Sequence, residues 1–97
     1  MQDLVPLARP YAKAIFDAAV DSGSTSETQA SLKSLAVGFK EKAITDLISS
    51  PTLSRSEILK KLTSIFDGEV NELVNNLLGA LAENDRLEIC PEISNLY

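Results

Sequence analysis

The amino-acid sequence predicts an all-α protein, a compact bundle of about six helices. Apolar residues recur at steps of three and four along almost the whole chain, as they do on one face of an α-helix. No segment shows the sustained apolar–polar alternation of a β-strand, and runs of β-branched residues are absent. The chain of 97 residues has the length of one small domain.

The first helix is predicted over residues 4–20. Asp3 is a suitable N-cap, and Pro6 falls in the first turn, where a missing N–H costs little. Pro10 is predicted either to restart the helix or to kink it. The apolar residues form two rows, a wider surface than packing against one layer requires. One row is Ala12, Phe16 and Ala19, and the other is Leu7, Tyr11, Ala14, Ile15 and Ala18.

Three helices are predicted in the middle of the chain. Ser24 and Glu27 have the spacing of a capping box, which indicates the start of the second helix. A short third helix is predicted over residues 45–50 and ends before Pro51. Ser54 and Glu57 form a second capping-box pattern and begin the fourth helix, which runs to about residue 67. Its predicted inward residues are Ile58, Leu59, Leu62, Ile65 and Phe66.

The fifth helix is predicted over residues 69–84, after Gly68 at a left-handed position. Two neighbouring apolar rows run along it, one of Val74, Leu78 and Leu81 and one of Leu73, Asn76, Leu77 and Ala80. The last helical segment is predicted to begin near either Asp85 or Pro91.

The residue inventory argues against an enzyme and against a metal or cofactor site. The chain has no His and one Cys, which excludes Ser-His-Asp and Cys-His catalysis, an internal disulfide and a histidine zinc site. Cys90 lies among apolar residues and is predicted to be a core residue. The carboxylate pairs Glu69/Glu72 and Glu88/Glu92 are typical of solvated helix surfaces.

The net charge of −5 argues against nucleic acid and against direct docking on anionic lipid. No run of about 18 apolar residues is present, so no membrane insertion is predicted. The first residues lack the basic start and apolar run of a secretory signal, which predicts a location in the reducing cytosol. The surplus apolar rows favour a protein-interaction module, although periodicity leaves open whether Tyr11 fills the core or lies at an interface.

Two separated motifs resemble the delta subunit of F-type ATP synthase, whose mitochondrial counterpart is the oligomycin-sensitivity-conferring protein. The first motif is Ala8-Arg9-Pro10-Tyr11-Ala12-Lys13-Ala14 followed by Phe16. The second is Leu77-Leu78, Leu81, Asn84, Arg86-Leu87, Pro91-Glu92-Ile93 and Tyr97. Between the two motifs the similarity is one of pattern.

The resemblance implies a six-helix bundle with Pro10 as a kink inside the first helix. It also implies a stator component without catalytic activity, which binds the N-terminal helix of an alpha subunit in a groove between the first and fifth helices. If those helices are neighbours, the groove is flanked by Leu7, Tyr11, Ala14, Ile15, Ala18, Leu73, Asn76, Leu77 and Ala80. The alternative is a generic helical interaction module with an unrelated partner.

Family members are roughly twice as long as this chain. We therefore expect residues 1–97 to form a single N-terminal domain, and the region that contacts the b subunits of the peripheral stalk to be absent. The resemblance further implies a peripheral position on the cytoplasmic face of the bacterial inner membrane, as part of the ATP synthase complex.

Overall fold

The predicted all-α bundle is confirmed by a computed structural model, which describes residues 4–97. These residues form no β-strand. The α-helices are α1 (Val5–Ser22), α2 (Thr25–Gly38), α3 (Lys42–Ile48), α4 (Arg55–Ile65), α5 (Glu72–Glu83) and α6 (Cys90–Leu96), and a 3₁₀ helix (Leu87–Ile89) directly precedes α6. Asp3, the predicted N-cap of the first helix, lies outside the described residues.

Helix α1 is continuous through Pro10, so the prediction of a restart is wrong and the proline lies inside the helix. Pro10 has no N–H to donate to the carbonyl of Pro6, four residues earlier. Both prolines are exposed, so water can satisfy that carbonyl at little cost.

The two predicted capping boxes have different outcomes. At α4 the box is confirmed: the Glu57 N–H donates to Ser54 Oγ (3.2 Å) and the Ser54 N–H donates to Glu57 Oε1 (3.0 Å). The hydrogen bonds from the Ser54 backbone and side chain lower the pKa of Glu57. At α2 the box is wrong. Ser24 has a ψ of 30° rather than an extended backbone, and its hydroxyl lies 2.7 Å from that of Ser22 instead.

Two helix starts differ from the prediction. Helix α3 begins at Lys42, three residues earlier than predicted. Helix α5 begins at Glu72 rather than at residue 69, because the side chain of Asn71 caps it by accepting from the Val74 N–H at 3.0 Å.

The end of α4 packs through Phe66 and not through Ile65. The Phe66 ring stacks on that of Phe39 with centroids 6.4 Å apart. It also lies against Gly38, where a Cβ would come within 2.6 Å of Phe66 Cε1. This packing leaves the neighbouring Ile65 51% exposed, so its predicted inward position is wrong.

Helices α1 and α5 are each followed by a residue in the left-handed region, Gly23 at φ 66° directly after α1 and Asp85 at φ 59° two residues after the end of α5. In both, the amide of the next residue donates to a carbonyl five residues earlier at 2.8 Å. Gly23 adopts this backbone freely, whereas a side chain at Asp85 makes it unfavourable. Gly68, at φ 81°, has the left-handed conformation that the sequence predicts.

The core lies mostly where α5 and α6 pack against the other helices. Helix α6 packs against α1 and α2, and α5 packs against α1 and α4. The predicted inner row of α5 is confirmed, since Val74, Leu78 and Leu81 are fully buried. The Cα radius of gyration of 12.6 Å agrees with the value of about 13 Å expected for a compact domain of this length.

A buried polar cluster joins α2 to the start of α5. The Asn71 N–H donates to Ser31 Oγ, and Asn71 Nδ2 donates to Thr28 Oγ1, both at 2.9 Å. Thr28 and Ser31 are buried, so their hydroxyls would be costly without these partners. The cluster therefore fixes the position of α5 on α2.

Of the two predicted starts for the last helix, the one near Pro91 is correct. Pro91 lies in the first turn of α6, where no N–H is required. The preceding residue, Cys90, is buried, and burial raises the pKa of its thiol to about 12. The thiol is therefore protonated at neutral pH, and the predicted core role of Cys90 is confirmed.

Candidate helix-binding groove

Helices α1 and α5 are antiparallel neighbours. Near the start of α1, Tyr11 Oη accepts a hydrogen bond of 3.2 Å from Asn84 Nδ2, at the end of α5. Near the end of α1, Ser22 lines the same cleft as Leu73, in the first turn of α5. The end of α5 therefore lies beside the first half of α1, and the start of α5 lies beside the end of α1.

The nine predicted groove residues divide by exposure. Four are exposed, three are half-buried and two are buried. The exposed residues are Leu7, Ala14, Asn76 and Ala80; the half-buried ones are Tyr11, Ala18 and Leu73; the buried ones are Ile15 and Leu77. Each helix contributes residues of all three kinds.

Ile15 and Leu77 belong to the bundle core and are 5% and 8% exposed. They lie on α1 and α5, in the same rows as the exposed residues. They can form only the floor of a groove, because nearly all of their surface is already covered by the bundle.

The walls carry small or partly exposed side chains. Leu7 is 40% exposed, and Ala14 and Ala80 are open to solvent on α1 and α5. Tyr11 packs against the core with part of its ring, while its hydroxyl bonds to Asn84 at the surface. Tyr11 thus combines contact with the core and access from outside.

One end of this surface opens into a cleft of about 430 Å³. The residues that line it are Ser22, Ser24, Asn71, Glu72, Leu73 and Asn76. The serines are not predicted from the sequence, because nothing in the periodicity of either helix indicates that the α1–α2 loop lies beside the start of α5. The end of the groove is therefore more polar than its middle.

A second partly apolar surface lies on the opposite flank of α1. Phe16 is 43% exposed and meets the Tyr97 ring edge-on, with centroids 5.4 Å apart. Tyr97 Oη donates to the Thr25 carbonyl at 2.9 Å, and burial raises the pKa of this tyrosine. A shallow cleft of about 240 Å³ lies beside both rings. Here the chain covers part of its own apolar row with α6 and the C-terminal Tyr97.

The part of the chain that the structure describes has neither a cluster of metal-ligating side chains nor a membrane-spanning helix. Within residues 4–97, no three His, Cys, Asp or Glu side chains are close enough together to hold a metal ion. In the same part of the chain, no helix combines the length and apolar character required to cross a bilayer.

Comparison with known proteins shows similarity along the whole chain. Residues 7–97 match the family described as "ATP synthase delta (OSCP) subunit". The ATP synthase subunit delta of Acinetobacter baylyi is 36% identical over all 97 residues, as is that of Marinobacter nauticus. The protein of that name from Hydrogenovibrio crunogenus is 32% identical over the same length. In each case the match covers 54% of the relative, so the chain spans about half the length of these relatives.

Proposed function

Because the chain belongs to the ATP synthase delta (OSCP) subunit family, we propose that it acts as a non-catalytic stator component of F-type ATP synthase. It binds the N-terminal helix of an alpha subunit between α1 and α5, and so links the catalytic head to the peripheral stalk. The match to delta subunits over residues 7–97 is the observation that carries this proposal.

The shape of the α1–α5 surface supports a helical ligand. The exposed Ala14 and Ala80 have small side chains, so the backbone of a third helix can approach closely. Leu7, Tyr11 and Leu73 offer larger apolar contacts. A helix that docks there places residues at steps of three and four in the groove, as amphipathic helices do in other helix-in-groove complexes.

The proposed groove supplies a moderate affinity. Burial of a few hundred Å² of apolar surface, at about 25 cal/mol per Å², gives several kcal/mol before the costs of association. A stator must resist torque, so the complete subunit holds the head through a second attachment as well. We assign that attachment, to the b subunits, to the part of the longer relatives that this chain does not match, where multivalency strengthens the whole connection.

This function sets the location and partners of the protein. It is a peripheral component on the cytoplasmic face of the bacterial inner membrane, within a complex that couples proton transport to ATP synthesis. Its partners are proteins, with no nucleic acid and no direct insertion into the membrane. It needs no cofactor, because its role is mechanical.

Titration calorimetry with a synthetic peptide of the alpha N-terminal helix tests the proposal. Two variants place a charge on opposite walls of the groove, Ala14→Asp on α1 and Ala80→Asp on α5. Each is expected to weaken binding by about tenfold or more, because an aspartate cannot be desolvated cheaply against an apolar helix. Both alanines are exposed, so circular dichroism should show an unchanged fold.

Ala30→Asp is the matched control. Ala30 is exposed on α2, outside the groove, and its substitution changes the net charge equally. The control should bind the peptide like the parent chain. The absence of saturable heat with the parent chain would overturn the proposal and favour an interaction module for an unrelated partner. Equal weakening in all three variants would overturn the placement of the groove.

A further inference from the structure

The turn between α4 and α5 contains the dipeptide Asp67-Gly68. The Glu69 N–H closes this turn by donating to the Phe66 carbonyl at 2.9 Å, and Gly68 takes the third position with φ 81°. Asp67 and Gly68 are both exposed. A Cβ at Gly68 would meet no atom within 4 Å, so the space around this peptide bond is open.

The Asp67 carboxylate and the Gly68 amide are not held by other groups of the described chain. The salt bridges among residues 4–97 use the carboxylates of Asp17 and Asp46. In the same residues, the Gly68 N–H donates to no carbonyl, because the turn is closed by the amide that follows it. An aspartate side chain and the next amide of the main chain are therefore both accessible to each other.

We propose that Asp67 is a site of spontaneous isomerisation to isoaspartate. The Gly68 nitrogen attacks Cγ of the protonated Asp67 carboxyl, and the new Cγ–N bond closes a succinimide ring with the loss of a water molecule. Water then opens the ring. Cleavage of the Cγ–N bond restores aspartate, whereas cleavage of the original peptide bond leaves isoaspartate, with the main chain running through Cγ. The product has the composition of the original chain, so the reaction requires nothing except water.

The other described aspartates lack this combination of features. Asp85 is also exposed, but the next amide, that of Arg86, donates to the Leu81 carbonyl at 2.8 Å. That amide must give up its hydrogen bond before it can turn towards the Asp85 carboxyl. The remaining described aspartates lie inside helices and are Asp17, Asp21 and Asp46. At Asp67 the next residue is also a glycine, whose backbone rotates freely and has no Cβ to crowd the ring.

The rest of the fold holds both ends of the reactive turn. Before it, the Phe66 ring stacks on that of Phe39. After it, the Asn71 side chain caps α5 and donates to Thr28. Isoaspartate adds a methylene group to the main chain between these two fixed points, so the exposed turn must rearrange to accommodate it. The modification therefore alters the connection between α4 and α5 and leaves the residues of the groove chemically unchanged.

Storage of the folded chain at neutral pH and raised temperature tests the inference. Peptide mapping with electron-transfer dissociation distinguishes isoaspartate from aspartate at each position. Isoaspartate is expected to accumulate about tenfold faster at Asp67 than at Asp85, because the Arg86 amide must first lose its hydrogen bond. Equal rates at the two positions, or no isoaspartate at Asp67, would overturn the inference. The test requires no alpha peptide, so its outcome is independent of the proposed function.

A variant and a peptide provide the controls. Asp67→Glu keeps the charge but requires a larger ring, so it should yield no isomerised product, while Asp85 should react as in the parent chain. A persisting signal in this variant would show that Asp67 is not its source. A synthetic peptide of residues 62–73 should isomerise at a rate similar to that of the folded chain, because the turn is open in both. Reaction in the peptide but not in the folded chain would mean that the fold protects this dipeptide.

Discussion

The bundle differs between the two flanks of α1. On the flank that faces α2 and α6, which we call the closed side, large side chains of the chain itself cover part of the apolar surface, and Phe16 remains 43% exposed. Ile93 is fully buried there, and Tyr97 packs on Phe16 and bonds to the Thr25 carbonyl. The sixth helix therefore completes this side.

On the flank that faces α5, which we call the open side, small side chains leave the surface uncovered. Ala14 and Ala80 are exposed, and a hydrogen bond between Tyr11 and Asn84 joins α1 to α5 at the surface. One row of α1 is thus buried except for Phe16, whereas the other row is exposed or half-buried except for Ile15. We therefore expect the closed side to contribute more to stability, and the open side is the surface to which the proposed function assigns the partner.

The largest expected effect is the loss of a core side chain on the closed side. Ile93→Ala should lower the free energy of unfolding by about 3 kcal/mol, because the residue is fully buried and leaves a cavity. Leu73→Ala on the open side should cost about 1 kcal/mol or less, because Leu73 is only half-buried. Guanidinium denaturation measures both, and equal losses would contradict the division into two sides.

The second effect concerns the polar cluster that joins α2 to α5. Thr28→Val should cost about 1–2 kcal/mol, since it leaves Asn71 Nδ2 without its buried acceptor. Thr45→Val is the control: its hydroxyl bonds to the Lys42 carbonyl at the surface and should be nearly neutral. Urea denaturation compares the two, and a neutral Thr28→Val would show that the cluster does not stabilise the contact between the sides.

A third, smaller effect is expected at the end of α1. Gly23→Ala should destabilise the protein by about 1 kcal/mol, because only glycine adopts its positive φ without strain. A Cβ at this position would meet no atom within 4 Å, so the loss can be assigned to the backbone alone. Thermal unfolding followed by circular dichroism provides the measurement, and an unchanged midpoint would exclude backbone strain here.

The smallest effect should have the opposite sign, at the end of α5 on the open side. Asp85→Gly should stabilise the protein by about 0.5 kcal/mol, because it relieves the left-handed conformation of a residue with a side chain. Differential scanning calorimetry against the parent chain can resolve the shift. A lower unfolding midpoint would mean that the Asp85 side chain makes a compensating contact.

Much of the helical pattern could be predicted because its causes are local. The capping box at Ser54 formed as the sequence indicated, because an extended backbone directs both side chains to their partners. The same pattern at Ser24 failed, since the preceding left-handed Gly23 leaves Ser24 without that backbone. The pattern gives the residue types of a cap, whereas the backbone conformation decides whether they bond.

The predicted core was wrong where two adjacent residues are both apolar and packing buries only one of them. Ile65 and Phe66 have the same hydrophobic character, and the missing side chain of Gly38 creates the space that Phe66 fills. The start of α5 was also missed, because the partners of Asn71 lie about 40 residues away, at Thr28 and Ser31. Periodicity within one helix carries no information about such distant partners.

The sequence by itself determined the all-α class, the apolar rows of α1 and α5, and the family. These follow from helical periodicity and from motifs that are continuous or nearly so along the chain. Only the tertiary structure decided which row the bundle buries, since that depends on α6 covering one flank of α1 while α5 leaves the other open. It also decided that Ser22 and Leu73 line one cleft, because the antiparallel packing of α1 and α5 brings together residues that are far apart in the chain.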